Sequence, residues 1–378
     1  TRRKRKEVRI MPNNFLEVKN IARQTLPRLM SNLAFPNLVH RDFSNDFVPG
    51  LGTKIQVKKP VKLIAEEFNE SQGVKPQGVD EESIEVKLDK LATVDVEFSA
   101  IQRATNVDDL NRLFLEPAAV ALAEKINNDG LELYKFIPTA VGKAGTTPSE
   151  LTDLANVRKQ LNKQLVPVAG RVGVWDTEAD AAFSTVPAIV NAEKSGSTNA
   201  LREGSIGRVM GLDNYMSQAV RKHTAGTLKV TGDKITVKSQ VEDSDEVVLK
   251  GTGMTGTLVK GDIITIVGNQ YLVTEDTSAS GDEIHVSVTP KITANADVQA
   301  VLLKSHTANL AFNPMAFAYV TRPLQAPAGV ESYVTSHNGI SLRVVRGYNM
   351  EKKKEMLSMD VLYGYTAIYP ELATRVLG

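Results

Sequence analysis

The most constraining feature of this sequence is a run of nearly eighty residues, Ala225 to Leu303, without convincing helical periodicity. KVTG, KITVKS, EVVLKG, TLVKGDIITIVG, QYLVTED and DEIHVSVTPKI read as strands separated by Gly, Asp or Ser turns. Many short strands at close spacing point to a small all-β domain that closes as a barrel. On either side, RKHTAG and LLKSHTANL lead out of and back into an α/β region. The β domain is therefore an insertion and not a terminal appendage.

The surrounding chain has one long helix signal, Glu116 to Phe136. Ala119, Leu122, Ile126, Gly130, Leu133 and Ile137 recur every three or four residues and form an apolar stripe, with Glu124, Lys125, Asn128 and Glu132 off it. Pro117 suits a first helical turn, where its missing N–H costs nothing, and Val107 to Leu115 read as a separate lead-in helix. Gly130 inside this helix costs about 1 kcal/mol relative to Ala, tolerable if a neighbour needs the room. Downstream, T-P-S-E at Thr147–Glu150 reads as a capping box that opens a second amphipathic helix through Leu151, Leu154, Val157, Leu161 and Leu165. RVGVWDT then predicts a buried strand feeding a helix at Thr177–Ser184, so this part alternates strand and helix. At the end, Ile340, Leu342 and Val344 alternate and Leu357 to Tyr365 return. This predicts an antiparallel pair lying along the long helix.

The N-terminal third reads differently. Thr1 to Arg9 carry six basic residues, the pattern of a solvated tail. Phe15, Val18, Ile21, Ala22, Thr25, Leu26 and Leu29 form a helical stripe interrupted at Pro27, and the irregular FPNLVHRDFSNDFVPGLG follows. Such an arm is expected to rest on a partner subunit, so that removing Asn14 to Gly50 leaves a folded monomer unable to assemble. Residues Thr53 to Phe98 alternate in two charged runs around NESQGVKPQGVDE, a long two-stranded ribbon. An isolated ribbon is marginal in water, so it too is expected to pack on a neighbour.

Composition excludes several function classes. The 378 residues are 42% hydrophobic and 24% charged, a foldable chain too long for one ordinary core. A net charge of +1 gives no bulk demand for nucleic acid, zero cysteines exclude disulfide and thiolate chemistry, and no apolar run reaches bilayer-spanning length.

No catalytic or cofactor chemistry is expected. Gly251, Gly253 and Gly256 satisfy G-x-G-x-x-G, but a strand and not a helix follows, so they read as a β-turn. His40, His223, His285, His306 and His337 form no metalloenzyme motif and read as solvent-facing or hydrogen-bonded side chains. Ser195, Ser197 and Ser205 lie in no nucleophile elbow, and the lone Trp175 reads as core. The acids Glu242, Asp243, Asp245 and Glu246 cluster between two strands of the insert. They read equally as a solvated loop and as a rim contact to a basic patch on a neighbour.

The order of these parts carries a resemblance. An arm, a charged ribbon, a helix beginning PAAVALA, an α/β region holding REGSIGRVMGLDNYMSQAV, a β insertion and the close SMDVLYGYTAIYPELATRVL together resemble a tailed-bacteriophage major capsid protein. The shared fold is also that of herpesvirus capsids and encapsulins, the Hong Kong ninety-seven fold. LVKGDIITIVG, HVSVTPK and HTANLAFNPMAFAYVTRPL are similar to the short-tailed Salmonella phage coat family, which has an inserted domain here.

The resemblance implies an α+β fold with residues 1–50 as arm, 51–100 as extended loop and 101–146 as peripheral domain with its spine helix. Residues 147–223 and 305–338 would be axial domain, 224–304 the inserted barrel and 339–378 the C-terminal strands of the peripheral domain. It further implies a non-enzymatic shell subunit, without cofactor or metal, forming hexamers and pentamers around double-stranded DNA that it contacts weakly. Scaffolding and portal proteins, and a decoration protein, would be its partners in a virion capsid assembled in the host cytoplasm. Inter-subunit contacts are expected at Phe15 and Val18 of the arm, at Lys58, Lys59 and Lys62 of the ribbon, and at the four acids of the insert. Some capsids of this fold weld that ribbon to a neighbour through a Lys–Asn bond, which the family it most resembles is not known to do. The alternatives are an encapsulin-like shell around protein cargo and a surface- or carbohydrate-binding β protein with an α/β domain.

Overall fold

The computed structural model describes residues 18–41, 54–58, 83–99, 116–191, 202–232, 234–337, 339–350 and 354–378. The chain runs α1 (Val18–Asn32), β1 (Lys54–Lys58), β2 (Ser83–Lys87), β3 (Lys90–Ser99), α2 (Glu116–Leu131), β4 (Ala140–Val141), α3 (Leu151–Lys163), β5 (Val172–Trp175), α4 (Thr177–Ser184), α5 (Pro187–Val190), β6 (Arg208–Val209), β7 (Leu212–Met216) and β8 (Lys222–His223). The insert holds β9 (Ile235–Val237), β10 (Val241–Lys250), β11 (Thr257–Leu258), β12 (Ile263–Ile266), β13 (Asn269–Val273), β14 (Thr277–Ser278), β15 (Glu283–Ala294) and β16 (Gln299–Leu302). Then come β17 (His306–Phe312), β18 (Phe317–Arg322), β19 (Glu331–His337), β20 (Ile340–Asn349), β21 (Lys354–Ala367) and β22 (Ala373–Leu377). Two compact units result, one of residues 1–33, 89–125 and 321–363, the other of 34–88, 126–320 and 364–378.

In the first unit, β3, β21, β20 and β19 form antiparallel neighbours in that order. The predicted pairing of β20 with β21 is thus present, with β19 and β3 as further strands. Arg343 on β20 sits directly opposite Asp360 on β21, an ion pair whose carboxylate is 5% exposed. Helix α1 packs on β19 and β20, burying Val18, Ala22, Thr25, Leu26 and Leu29. Pro27 lies inside it, so the stripe is one helix and not an interrupted one. Val18, expected to face a partner subunit, is 2% exposed within its own chain. The reason is the apolar stripe itself, which finds a sheet face a short distance away in the same unit.

The second unit contains a mixed sheet in the order β4, β22, β17, β5, β7, β6, with β8 also pairing β17. Apolar residues of α3 and α4 share a core with it, through Leu154, Val157, Leu161, Trp175, Ala179, Phe183, Ala311 and Val376. Trp175 is core as expected, its indole N–H donating to Asn214 at 2.9 Å. Helix α4 has the predicted bounds because Asp176 caps it, accepting from Ala179 N–H. The start of α3 differs from the sequence reading. Its cap is Glu150, paired reciprocally with Asp153, so the box lies three residues beyond Thr147.

The long helix also ends earlier than its periodicity suggests, passing at Glu132–Phe136 into a 3₁₀ turn. Within it, a Cβ on Gly130 would run into the Phe35 ring and approach the Tyr365 ring at 2.9 Å. The neighbour that needs the room is thus an aromatic cluster, Phe35, Phe312, Phe317 and Tyr365, with ring centroids 5.1–6.0 Å apart. Asn127 of the same helix accepts from the N–H groups of Ala34 and Phe35 at 3.2 Å, fixing the turn that delivers Phe35. Gly130→Ala should therefore lower stability by about 1–3 kcal/mol in denaturant melts, despite the better helix propensity of Ala. An unchanged or raised midpoint would mean the rings yield freely.

The insert is a closed barrel in the order β10, β15, β13, β12, β16, β9, with β11 and β14 as a separate two-stranded piece. Its interior is aliphatic, including Val237, Leu249, Ile264, Ile266, Val273, Val286 and Ile292. Gly251 to Gly256 form a turn there, with Gly253 and Gly256 at positive φ and the strand β11 next, as the sequence predicts.

Candidate functional site

Where the barrel meets its sheet, five segments converge on one buried polar cluster. Tyr134 comes from the 3₁₀ turn after α2, His223 from β8, Asp262 from the turn before β12, His306 from β17 and Arg375 from β22. Their pairing follows from the ladder, because β8 and β17 place His223 opposite His306, with rings 5.3 Å apart.

The His223 Nε2 lies 2.8 Å from Asp262 Oδ1, and its Nδ1 lies 3.2 Å from the Tyr134 hydroxyl. An ionised carboxylate only accepts, so the neutral imidazole carries its proton on Nε2 and takes a hydrogen bond from Tyr134 on Nδ1. Asp262 also accepts from Gly226 N–H and Val259 N–H. Arg375 Nη1 donates to the Gly261 carbonyl at 2.7 Å, and its guanidinium lies 5.2 Å from the Tyr134 ring centre. Apolar contacts flank the cluster, from Ala140, Ile263, Leu272 and Leu377, and Gln270 of the barrel exchanges two hydrogen bonds with the Ala140 backbone.

Burial sets the electrostatics. It pushes Arg375 down to about 9, so the side chain stays cationic at neutral pH. It pushes His306 down to about 4, with Arg375 and His223 adding to the effect and the Lys304 carbonyl and Asp262 opposing it. It raises Tyr134. The Asp–His–Tyr chain has the connectivity of a proton relay, yet each member is only 3% exposed. The cluster is enclosed, and it joins the barrel to the sheet through these bonds.

The sequence reads His223 and His306 as solvent-facing or hydrogen-bonded, and the structure buries both and sets them opposite each other. A buried arginine in the final strand had no signal at all. Among the described residues, no group of three His, Asp or Glu could hold a metal ion, and no helix is long and apolar enough to cross a membrane.

Besides Val18 on α1, the expected contact residues fall in three places. Phe15, Lys59 and Lys62 lie outside the described residues, and Lys58 ends β1 opposite Ser83. The acids Glu242, Asp243, Asp245 and Glu246 are exposed on the barrel, but they belong to strand β10 and not to a loop. That strand shifts register between Val241 and Glu246 against β15, and Asp243 takes φ 45°. A bulge of this kind turns consecutive side chains outward while pairing continues on either side. Asp243 pairs with Lys291 at 3.3 Å and Glu246 lies 3.8 Å from His285, both on the surface.

Comparison with known proteins gives the arrangement a context. The family model described as P22 coat protein, gene protein 5, matches residues 177–378, slightly more than half of the chain. No curated protein matches. A structure of Mycobacterium phage Che8 is similar with a TM-score of 0.55 and 16% identity, covering 91% of this chain and 90% of that one. The capsid structure of cyanophage P-SCSP1u is similar with a TM-score of 0.51 and 13% identity, covering 91% and 88%. The asymmetric unit of the bacteriophage PhiM1 mature capsid follows at 0.50 and 11%, covering 91% and 86%. At such identities the structural likeness speaks to the fold, while the family match spans α4, the whole inserted barrel, four of the five cluster residues and the C-terminal strands. The chain belongs to the P22 coat protein family.

Proposed function

We propose that this protein is the major capsid protein of a tailed phage, and that it self-associates as hexamers and pentamers into a closed icosahedral shell around double-stranded DNA. The observation that carries the reading is the family match from residue 177 to 378, which takes in the insert and everything after it. The family match favours neither a protein-cargo compartment nor a carbohydrate-binding protein.

In this reading the virion is the protein's location, with assembly in the host cytoplasm. Scaffolding and portal proteins guide assembly, and a decoration protein is a further partner. Residues 147–223 and 305–338 act as axial domain, 101–146 and 339–378 as peripheral domain, and the ribbon of 51–100 overlaps a neighbour through Lys58, Lys59 and Lys62. Near-neutral net charge suits a wall that surrounds DNA without gripping it, since each neutralised phosphate makes binding more salt-locked. Electron microscopy of the purified full chain should show closed shells, and a sample that remains single chains would overturn the proposal.

The acidic bulge is proposed as a rim contact between copies. Glu242→Lys with Asp245→Lys should slow assembly and lessen its salt dependence while leaving the melting temperature within about 1 °C, because exposed charges contribute little to folding. Assembly kinetics indistinguishable from the parent protein would remove the bulge from the interface.

A further inference from the structure

We propose that the buried cluster of Tyr134, His223, Asp262, His306 and Arg375 is an acid-sensitive lock, which on proton uptake releases the inserted barrel from its sheet while both stay folded. The inference concerns a single chain and stands apart from shell assembly.

The charge count carries the argument. Among the described residues the cluster encloses one fixed cation, Arg375 at 0% exposure, and one anion, Asp262 at 3%. These balance. A proton added to His306 leaves the enclosed site with one uncompensated positive charge.

The surroundings offer little relief. The 3₁₀ turn contributes Lys135 and Glu132, Arg221 precedes β8 and Lys222 lies on it, the turn before β12 contributes Lys260, whose backbone N–H donates to Asp276, and the segment before β17 contributes Lys304. Of these flanking groups five are cations and two are acids. Three nitrogens in the cluster, Arg375 Nε and Nη2 and His306 Nε2, are buried without a hydrogen-bond partner, so the docked state already forgoes bonds that water would supply on release.

What would separate is well defined. The barrel has its own aliphatic interior and closed ladder, and the sheet has its own core with α3 and α4. Between them lie the small apolar contact around Ala140, the Gln270 bonds, the Arg375 bond and the relay. The seam is thus held by a small set of side-chain contacts that include the titratable groups of the cluster.

The direction of the pH effect follows from His306. Its docked value near 4 lies below the ordinary 6.5, so the released form binds the proton more readily. Docking is therefore strongest above about 6.5 and weakens as pH falls toward 4, where this group's contribution is spent. At pH 5 the shift corresponds to a rise on the order of 30-fold in the release equilibrium from His306 alone.

Hydrogen exchange on the full chain at pH 7.5 and pH 5, corrected for intrinsic rates, tests the lock. The amides of Ala140, Gly226 and Val259, which donate across or at the seam, should lose protection at least tenfold at pH 5. The amides of Val247, Leu249 and Val286 in the barrel and of Leu310 and Ala311 in the sheet should keep theirs. His223→Gln with His306→Gln, which retains hydrogen-bonding groups but cannot take up the proton, should abolish most of the difference. Seam protection unchanged at pH 5, seam and barrel protection lost together, or an undiminished pH effect in the double variant would each overturn the proposal. If the double variant does not fold, the exchange pattern of the unaltered chain decides by the first two criteria.

Discussion

Phe35→Ala is expected to lower the stability of the unit that contains it by about 3–5 kcal/mol, the range for truncating a fully buried aromatic ring. Phe35 is 1% exposed and touches Phe312, Phe317 and Tyr365, so its loss opens a cavity bounded by three rings and by the helix backbone at Gly130. Tilted aromatic pairs add a further contribution beyond area. Denaturant unfolding followed by far-UV circular dichroism measures the effect, and a cost under about 1 kcal/mol would show that the cluster closes around the gap.

A coupled variant sharpens this. Gly130→Ala, harmful in the parent chain, should lose part of its cost in the Phe35→Ala background, because one of its two colliding rings is gone. The same geometry revises the expectation for the arm. Deleting Asn14 to Gly50 removes Phe35 and the buried stripe of α1 from their own chain, so the product should be destabilised and not a sound monomer that merely fails to assemble.

Asp262→Ala is expected to cost about 3–5 kcal/mol, the range for leaving a buried charge without its compensating partner. Its carboxylate holds His223 at 2.8 Å, Gly226 N–H at 3.1 Å and Val259 N–H at 2.9 Å, and it is the enclosed counter-charge to Arg375. All four groups lose that partner, and His223 and Arg375 are left buried without it. Asp262→Asn keeps an acceptor but not the charge, so it should fall between the parent and Asp262→Ala. Equal losses for the two substitutions would mean that charge balance contributes nothing at the junction.

How much of this was legible in the sequence depends on the range of the contacts. Helix α4, strand β5, the β20–β21 pair and the barrel's strands announce themselves by period and turn chemistry, which are local. The start of α3 was misplaced because Thr147-Pro-Ser-Glu150 and Glu150–Asp153 both fit a box, and only the backbone chooses between them. The acids of β10 were read as a loop because a bulge breaks alternation without ending a strand.

The sequence by itself determined the local periods, the inserted position of the β domain and the order of parts that carries the family resemblance. Only the tertiary structure decided where the arm's apolar face goes, since a stripe shows that a surface will be covered but not by which chain. It alone assembled Tyr134, His223, Asp262, His306 and Arg375, because these come from five separate segments; the β8–β17 and β17–β22 registers bring the two histidines and the arginine together, and long-range side-chain bonds add Tyr134 and Asp262. Side chains that distant in sequence leave no periodic trace, and each one alone reads as an ordinary polar residue.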